Sequence, residues 1–197
     1  MSKYILIISH NDLGEYIMII AETSYTKESY KKYVRFYITK IAKKKKILRI
    51  LYQSILLVLG LIVIISFSLE KNMDAPVYFG IASVIFAIGD IIHFLCLPNV
   101  YANSMVKKNP ILFETKITFS FYTDYFDVAS TTDLVCSKSD IKYEALLIVY
   151  EVNDYFYMYM PNKQAYIVYK NDIMQGTTLD LSELLSRTLH KKYVRCN

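Results

Sequence analysis

Asp90 and His93 stand three residues apart in GDIIHFLCLP, near the end of a long apolar run. A carboxylate and an imidazole one helical turn apart can pass a proton, or can pair and hold two helices together. Ionisable groups inside an apolar span are functional candidates by default. On the same stretch Gly80, Ser83, Ala87 and Asp90 follow a 3–4–3 spacing, which puts them on one helix face. Upstream, Gln53, Leu57, Gly60 and Ile64 form a comparable stripe. A cluster of Asp90, His93 and Gln53 between two adjacent helices is the expected arrangement. One carboxylate and one imidazole do not line a pathway, so a latch is the preferred reading and a proton or ion relay the alternative.

No other set of residues points to catalysis. His10, His93 and His190 are scattered, and HExxH, GxSxG, P-loop and GxGxxG patterns do not occur. Asp124, Asp127 and Glu151 fall in or beside strand turns and read as solvated charge. Cys96, Cys136 and Cys196 have no metal-ligand or disulfide spacing and read as three reduced thiols. The expectation is a protein that is not an enzyme and has no catalytic residues, no cofactor and no metal.

The elements that must place Asp90 and His93 are two apolar runs. Residues 50–69 and 75–97 carry almost no charge, and five polar residues, EKNMD, separate them. Twenty residues of helix cover about 30 Å, the thickness of a hydrocarbon core. A loop so short makes the two helices antiparallel neighbours, and Pro98 is expected to end the second. Mean hydropathy is +0.25 and the apolar fraction 54%, above ordinary globular usage. There is no early apolar stretch long enough for a signal peptide.

Charge placement sets direction. Lys43, Lys44, Lys45, Lys46 and Arg49 precede the first run, and Lys107 and Lys108 follow the second, whereas the hairpin loop holds only Lys71. By the positive-inside rule both termini are cytoplasmic in a multi-pass cell-membrane protein. The same basic cluster can attract anionic lipid headgroups, although plain topology explains it. Residues 1–50 hold 11 Lys/Arg against 4 Asp/Glu, whereas residues 101–197 are balanced at 11 against 11. A nucleic-acid binder carries its surplus on the folded domain, so nucleic acid is not an expected partner.

On the cytoplasmic side, residues 1–46 read as a strand in KYILIIS, a helix beginning at Asn11 or Asp12 in NDLGEYIMIIAE, and an amphipathic helix from Thr26. In the last, Tyr30, Val34, Tyr37 and Ile41 share a face that runs into the first span. After the hairpin (47–98), residues 111–197 form a domain. KITFSFY alternates strictly, and YFDVAS, LVCS, ALLIVYEV, YFYMYM and QAYIVYK follow between turn residues. Five or six short antiparallel strands are expected. A closing helix, DLSELLSRTLHKK, has Asp180 and Glu183 at capping-box spacing and Leu181, Leu184, Leu185 and Leu189 on one face. The chain has 19 Tyr and no Trp. Tyr155, Tyr157 and Tyr159 alternate along one strand, as a contact face for a partner or as core.

The order of parts resembles the YcxB-like family of bacterial membrane proteins, over essentially the whole chain and more loosely in residues 1–46. The resemblance is carried by ITFSFYTDYFDVAS, by Ser139–Ile141, Glu151, Tyr155–Tyr157, Gln164–Ile167 and Lys170–Ile173, and by GTTLDLSELLSRTL. IVYKND stands where a proline commonly precedes the lysine. The resemblance implies a membrane α+β fold: a two-helix transmembrane hairpin with a cytoplasmic antiparallel β-domain, similar to pleckstrin-homology-like domains and closed by the last helix. It implies no catalytic residues. The expected function is a membrane-anchored binding or interaction module on the cytoplasmic face. Its partners would be the bilayer, anionic headgroups or a protein, with a homo-oligomer left open. The alternative is a small transporter or channel-like subunit using Asp90 and His93.

Overall fold

The computed structural model describes residues 18–69, 75–131, 136–162 and 164–196, without the side chains of Phe67 and Ala75. The expected strand KYILIIS and the start of the helix expected from Asn11 lie outside the described residues. The chain divides into two compact units, residues 24–115 and residues 1–23 with 116–197.

The first unit is helical. Helix α1 (Lys27–Phe36) starts at a reciprocal cap: Thr26 Oγ1 accepts from Ser29 N at 3.0 Å, and Ser29 Oγ accepts from Thr26 N at 2.9 Å. The amphipathic stretch does not run straight into the first span. A π-helical turn (Tyr37–Ile41) and a break at Ala42 separate α1 from α2 (Lys43–Leu69). Helix α3 (Ala75–Lys108) continues through Pro98, which corrects the expected stop. Proline's φ suits a helix; what is lost is one amide bond to the Phe94 carbonyl. The helix is 34 residues long, about 51 Å, so its last turns run on past the apolar stretch. A short helix α4 (Pro110–Glu114) follows.

Helices α2 and α3 pack antiparallel, because rising positions on one meet falling positions on the other: Arg49 and Gln53 meet Asp90, and Gly60 meets Gly80 and Ser83. The close approach depends on missing side chains. A Cβ on Gly60 would lie 2.3 Å from Ser83 Oγ and 3.0 Å from the Gly80 carbonyl oxygen. One on Gly80 would lie 2.9 Å from Ile64 Cγ1. The stripe of small residues is therefore the helix–helix seam, as small residues allow in apolar helix pairs. Ala87 is fully buried in it.

The second unit is built from two sheets and one helix. Strands β1 (Ile19–Ser24), β2 (Lys116–Phe121), β3 (Tyr125–Thr131), β4 (Cys136–Lys142) and β8 (Ile173–Gln175) form one sheet, in the order β4-β3-β2-β1-β8. Strands β5 (Ile148–Glu151), β6 (Tyr155–Tyr159), β7 (Ala165–Tyr169) and β9 (Tyr193–Arg195) form the other, in the order β7-β6-β5-β9. The β2–β3–β4 and β5–β6–β7 neighbours are antiparallel, as their tight turns require. Helix α5 (Thr178–Leu189) then sends β9 back parallel to β5.

Three expectations are corrected here. Residues 19–22, taken with the helix beginning near Asn11, are strand. Ile19, Ala21 and Thr23 alternate into the core at 0%, 0% and 3% exposure, a period of two that β-branched residues favour. This strand belongs to the β-unit, so that unit is not confined to residues 111–197. Helix α5 begins one turn earlier than the Asp180/Glu183 spacing suggests. Thr177 is the cap, its Oγ1 accepting from Asp180 N at 3.1 Å while Asp180 Oδ2 accepts from Thr177 N at 2.8 Å. Gly176, at φ 79°, turns the chain into it.

The core of the β-unit follows the alternation of β2: Ile117, Phe119 and Phe121 are buried between polar neighbours. Phe119 and Phe126 meet Tyr166 of β7 edge-on, at 5.8 and 6.2 Å, joining the two sheets. Leu181, Leu184, Leu185 and Leu189 of α5 are all buried, and burying each such side chain contributes about 1.5–3 kcal/mol.

Candidate functional site

Two polar constellations and one cleft carry the groups that can do chemistry. The first lies in the hairpin seam. Asp90 accepts from Arg49 through both carboxylate oxygens, Nε to Oδ2 at 2.9 Å and Nη2 to Oδ1, and from Gln53 Nε2 at 2.8 Å. The Arg49 guanidinium also sits over the Phe94 ring, 5.5 Å from its centroid. Asp90 is thus held by a two-pronged guanidinium contact, the geometry that suits a carboxylate in apolar surroundings. The Gln53 Oε1 atom is buried without a hydrogen-bond partner among the described residues.

The structure joins Asp90 and Gln53 by a hydrogen bond as expected; His93 is exposed and lies within electrostatic reach of Asp90 but, among the described residues, makes no hydrogen bond to it. Its place is taken by Arg49, read from sequence as part of the basic cluster with Lys43–Lys46. Lys43, Lys44 and Lys45 are exposed and Lys46 half-exposed. The signal was present: the stripe Gln53, Leu57, Gly60, Ile64 extended one turn back lands on Arg49. A guanidinium outcompetes an imidazole here because it is charged at every relevant pH and reaches from the facing helix.

The second constellation surrounds Glu151, at the end of β5. The expectation of a solvated surface charge is corrected, since Glu151 is only 7% exposed. Lys170 Nζ donates to Oε1 at 2.8 Å and Ser182 Oγ to Oε1 at 3.1 Å. Arg195 Nε donates to Oε2 at 2.9 Å, and the Tyr193 hydroxyl donates to the same oxygen. The Lys170 ammonium lies 5.2 Å from the Phe156 ring centroid. Burial by itself raises the carboxyl pKa; the hydrogen bonds from Lys170, Tyr193 and Arg195 outweigh it and hold the group down at about 2. Burial first, and then the Glu151 contact, push the Tyr193 hydroxyl up. Lys170, Tyr193 and Arg195 donate to the carboxylate, and the single Ser182 hydroxyl proton is shared between Glu151 Oε1 and the Thr178 carbonyl at 2.9 Å, so Glu151 is engaged on both oxygens and poorly placed to act as a base or a ligand. It clamps β5, the end of β7, α5 and β9 together. Sequence reading missed it because its donors come from residues 19 to 44 positions away.

Asp127 is also buried rather than solvated, at 4% exposure, with Lys138 Nζ 2.8 Å from Oδ2 and, among the described residues, no hydrogen-bond partner for Oδ1. Of the two readings of Tyr155, Tyr157 and Tyr159, contact face or core, the burial fits core: the three are 7%, 1% and 4% exposed. Strand β6 is central in its sheet, and its tyrosines cover one another and their neighbours. Tyr155 stacks on Tyr157 at 5.8 Å and lies 4.9 Å from Tyr169, and Tyr150 meets Tyr159 edge-on at 5.9 Å.

A cleft of about 900 Å³ opens in the β-unit between β3, β4 and the end of α5. Asp124, Asp140 and Glu144 line it together with Lys142, Lys191 and Lys192, so its charge is mixed. Lys192 Nζ is spent on the Glu144 and Leu146 carbonyls, at 2.9 Å each. The Tyr143 hydroxyl, pushed up by burial and by nearby Asp124, donates to the Tyr122 carbonyl at 2.8 Å. Among the described residues no group of three or more His, Cys, Asp or Glu is placed to hold a metal ion. Compared with protein-family models, curated proteins and solved structures, the chain matches none.

Proposed function

We propose that the chain is a two-span membrane protein with both termini in the cytoplasm, and that its β-unit is a non-enzymatic binding or interaction module of the YcxB-like, pleckstrin-homology-like kind. One observation carries the membrane reading. Lys43–Ser66 and Pro76–Lys108 are helices long and apolar enough to cross a bilayer, with mean hydropathies of 2.4 and 2.1, and only 11% of the most apolar stretch of each is buried within the molecule. Leu51, Ile55, Leu59 and Ile62 on one, and Phe79, Ile85, Phe86 and Leu95 on the other, are exposed. A soluble protein does not leave so large an apolar surface in water. Lipid is the solvent that fits it.

The direction rests on Lys43–Lys46, Lys107 and Lys108 flanking the spans. The module reading is supported by a β-unit whose buried carboxylate is engaged on both oxygens and whose cleft is of mixed charge. Conduction through Asp90 and His93 is disfavoured by the same logic. Asp90 is closed by Arg49 and Gln53, and among the described residues His93 makes no hydrogen bond to it.

The test is extraction and tag accessibility. The chain should stay with membranes through an alkaline carbonate wash, and tags at both ends should be reachable only after the cell is opened. Release of the intact chain without detergent, or labelling of either end from outside, overturns the reading.

A further inference from the structure

Strand β4 ends the larger sheet and, among the described residues, has no neighbour beyond it. Its seven residues pair with β3 in unbroken register, from Tyr125↔Lys142 to Thr131↔Cys136, with no bulge and no proline. All but Ile141 are exposed. The other terminal strands are shorter: β8 and β9 have three residues each and β7 has five. An open, regular edge of this length is a template for another strand.

The residues on β4 say which strand. Antiparallel pairing of two copies about a two-fold axis perpendicular to the sheet preserves each face, so the axis must pass through a residue. Only an axis through Ser139, the middle of Cys136–Lys142, pairs the whole strand. In that register Lys138 of one copy stands directly opposite Asp140 of the other, twice, and Ser137 stands opposite Ile141. Moving the axis to Lys138 or Asp140 sets like charges against each other, at a loss of pairing length. Full overlap and opposite-charge pairing therefore select the same register.

Each copy also lacks what the other supplies. Asp127 and Asp140 stand directly opposite each other across β3 and β4. Lys138 serves Asp127 at 2.8 Å, and among the described residues no ion pair reaches Asp140. Lys138 bonds Asp127 and Lys142 lies two residues along the strand from Asp140, and a second copy brings a further cation, its Lys138, directly opposite Asp140. We infer that β4 is a self-association edge, on which a second copy of this chain adds its own β4 antiparallel about Ser139, giving one sheet continuous across two molecules.

Seven residue pairs bury well under the roughly 1,000 Å² of a stable free interface. The contact thus belongs to copies already concentrated by their hairpins in one membrane, and in this respect it rests on the membrane reading above.

The experiment uses the full chain in its membrane, in a background with Cys96→Ser, Cys136→Ser and Cys196→Ser. Ser139→Cys places two thiols at the axis, where opposite Cα atoms lie about 4.5–5.5 Å apart, within disulfide reach. Ser137→Cys places them four residues apart along the strands, about 13 Å, beyond it. Mild oxidation should give a dimer band at least about ten-fold stronger for Ser139→Cys. Adding Lys138→Asp should remove most of the band, and the exchange Lys138→Asp with Asp140→Lys should restore it. The exchanged lysine then stands opposite Asp127, so each copy keeps its own neutralising cation, and a thermal melt confirms that the variants fold. No dimer from Ser139→Cys in the membrane pellet, equal bands from Ser137→Cys, or an exchange that fails to restore the band overturns the inference. A chain recovered in the supernatant instead sinks the membrane reading, a result visible before any crosslink is scored.

Discussion

Replacing Glu151 by Gln keeps the side chain's shape and removes the charge on which Lys170, Arg195 and Tyr193 converge. In the folded chain its carboxyl is held at about 2 against an ordinary 4.5. That gap, at about 1.36 kcal/mol per pH unit, is about 3 kcal/mol of folding stability at neutral pH. The folded-state value is depressed, so the contribution is complete above about pH 4.5. It is lost as pH falls toward 2, because the unfolded chain takes up its proton first. Removing one partner of a buried ion pair leads to a similar figure, about 3–5 kcal/mol. The assay is a thermal melt of the full chain in mild detergent, followed by circular dichroism of the sheets from pH 7 to pH 2. At pH 7 Glu151→Gln should lower the β-unit's Tm by roughly 12–24 °C, taking 4–8 °C per kcal/mol for a unit of this size. The gap to wild type should close as pH approaches 2. A variant whose deficit is the same at pH 2 as at pH 7, or that melts with wild type at pH 7, refutes the clamp.

Three further outcomes are expected. Gly60→Ala should loosen the hairpin by about 1–3 kcal/mol, since its Cβ would fall 3.0 Å from the Gly80 carbonyl oxygen. Gly89→Ala, which meets nothing within 4 Å, should be neutral or stabilising by up to about 1 kcal/mol; unfolding of both in mixed detergent gives the comparison. Asp90→Leu alone strands the Arg49 guanidinium in the seam, whereas Asp90→Leu with Arg49→Leu removes both charges. A double-mutant cycle should find the pair of changes milder than the single one, and equal costs would show that the two side chains do not meet. Tyr157→Ala should cost about 3–5 kcal/mol, as for large buried aromatics, while a side chain on a free contact face would change the melt by less than about 0.5 kcal/mol.

The two long apolar helices were legible in the sequence because helix length and apolar run are one-dimensional features. About twenty uncharged residues in a row are enough to mark a helix long and apolar enough to cross a membrane, and the helical spacing of Gly80, Ser83 and Ala87, with Gly60 on the facing helix, is enough to mark the packing face. The alternation of KITFSFY and the leucines of α5 were legible for the same local reason, a period read along a single element. Pro98 misled because a proline late in a helix removes one amide bond but does not oblige the chain to turn. Residues 19–22, Ile-Ile-Ala-Glu, misled because so short a stretch fits either period, and the sheet neighbours that decide between them, β2 and β8, lie about 100 and about 150 residues on.

The polar clusters divide along the same line. Asp90 and Gln53 could be placed on facing stripes from spacing alone, but the choice of Arg49 over His93 depended on which side chain the facing helix carried to that depth. Glu151 and Asp127 read as surface in the sequence, and the tyrosines of β6 as either surface or core. A charged or aromatic residue does not show from its neighbours in the chain whether a strand, a helix end and a returning terminus will close over it. Elements and their buried faces follow from local periodicity, and the sequence by itself determined those. Partners brought together from positions 19 to 44 residues apart around Glu151, and β1 joined to a sheet nearly a hundred residues further on, follow only from packing, and the tertiary structure alone decided them.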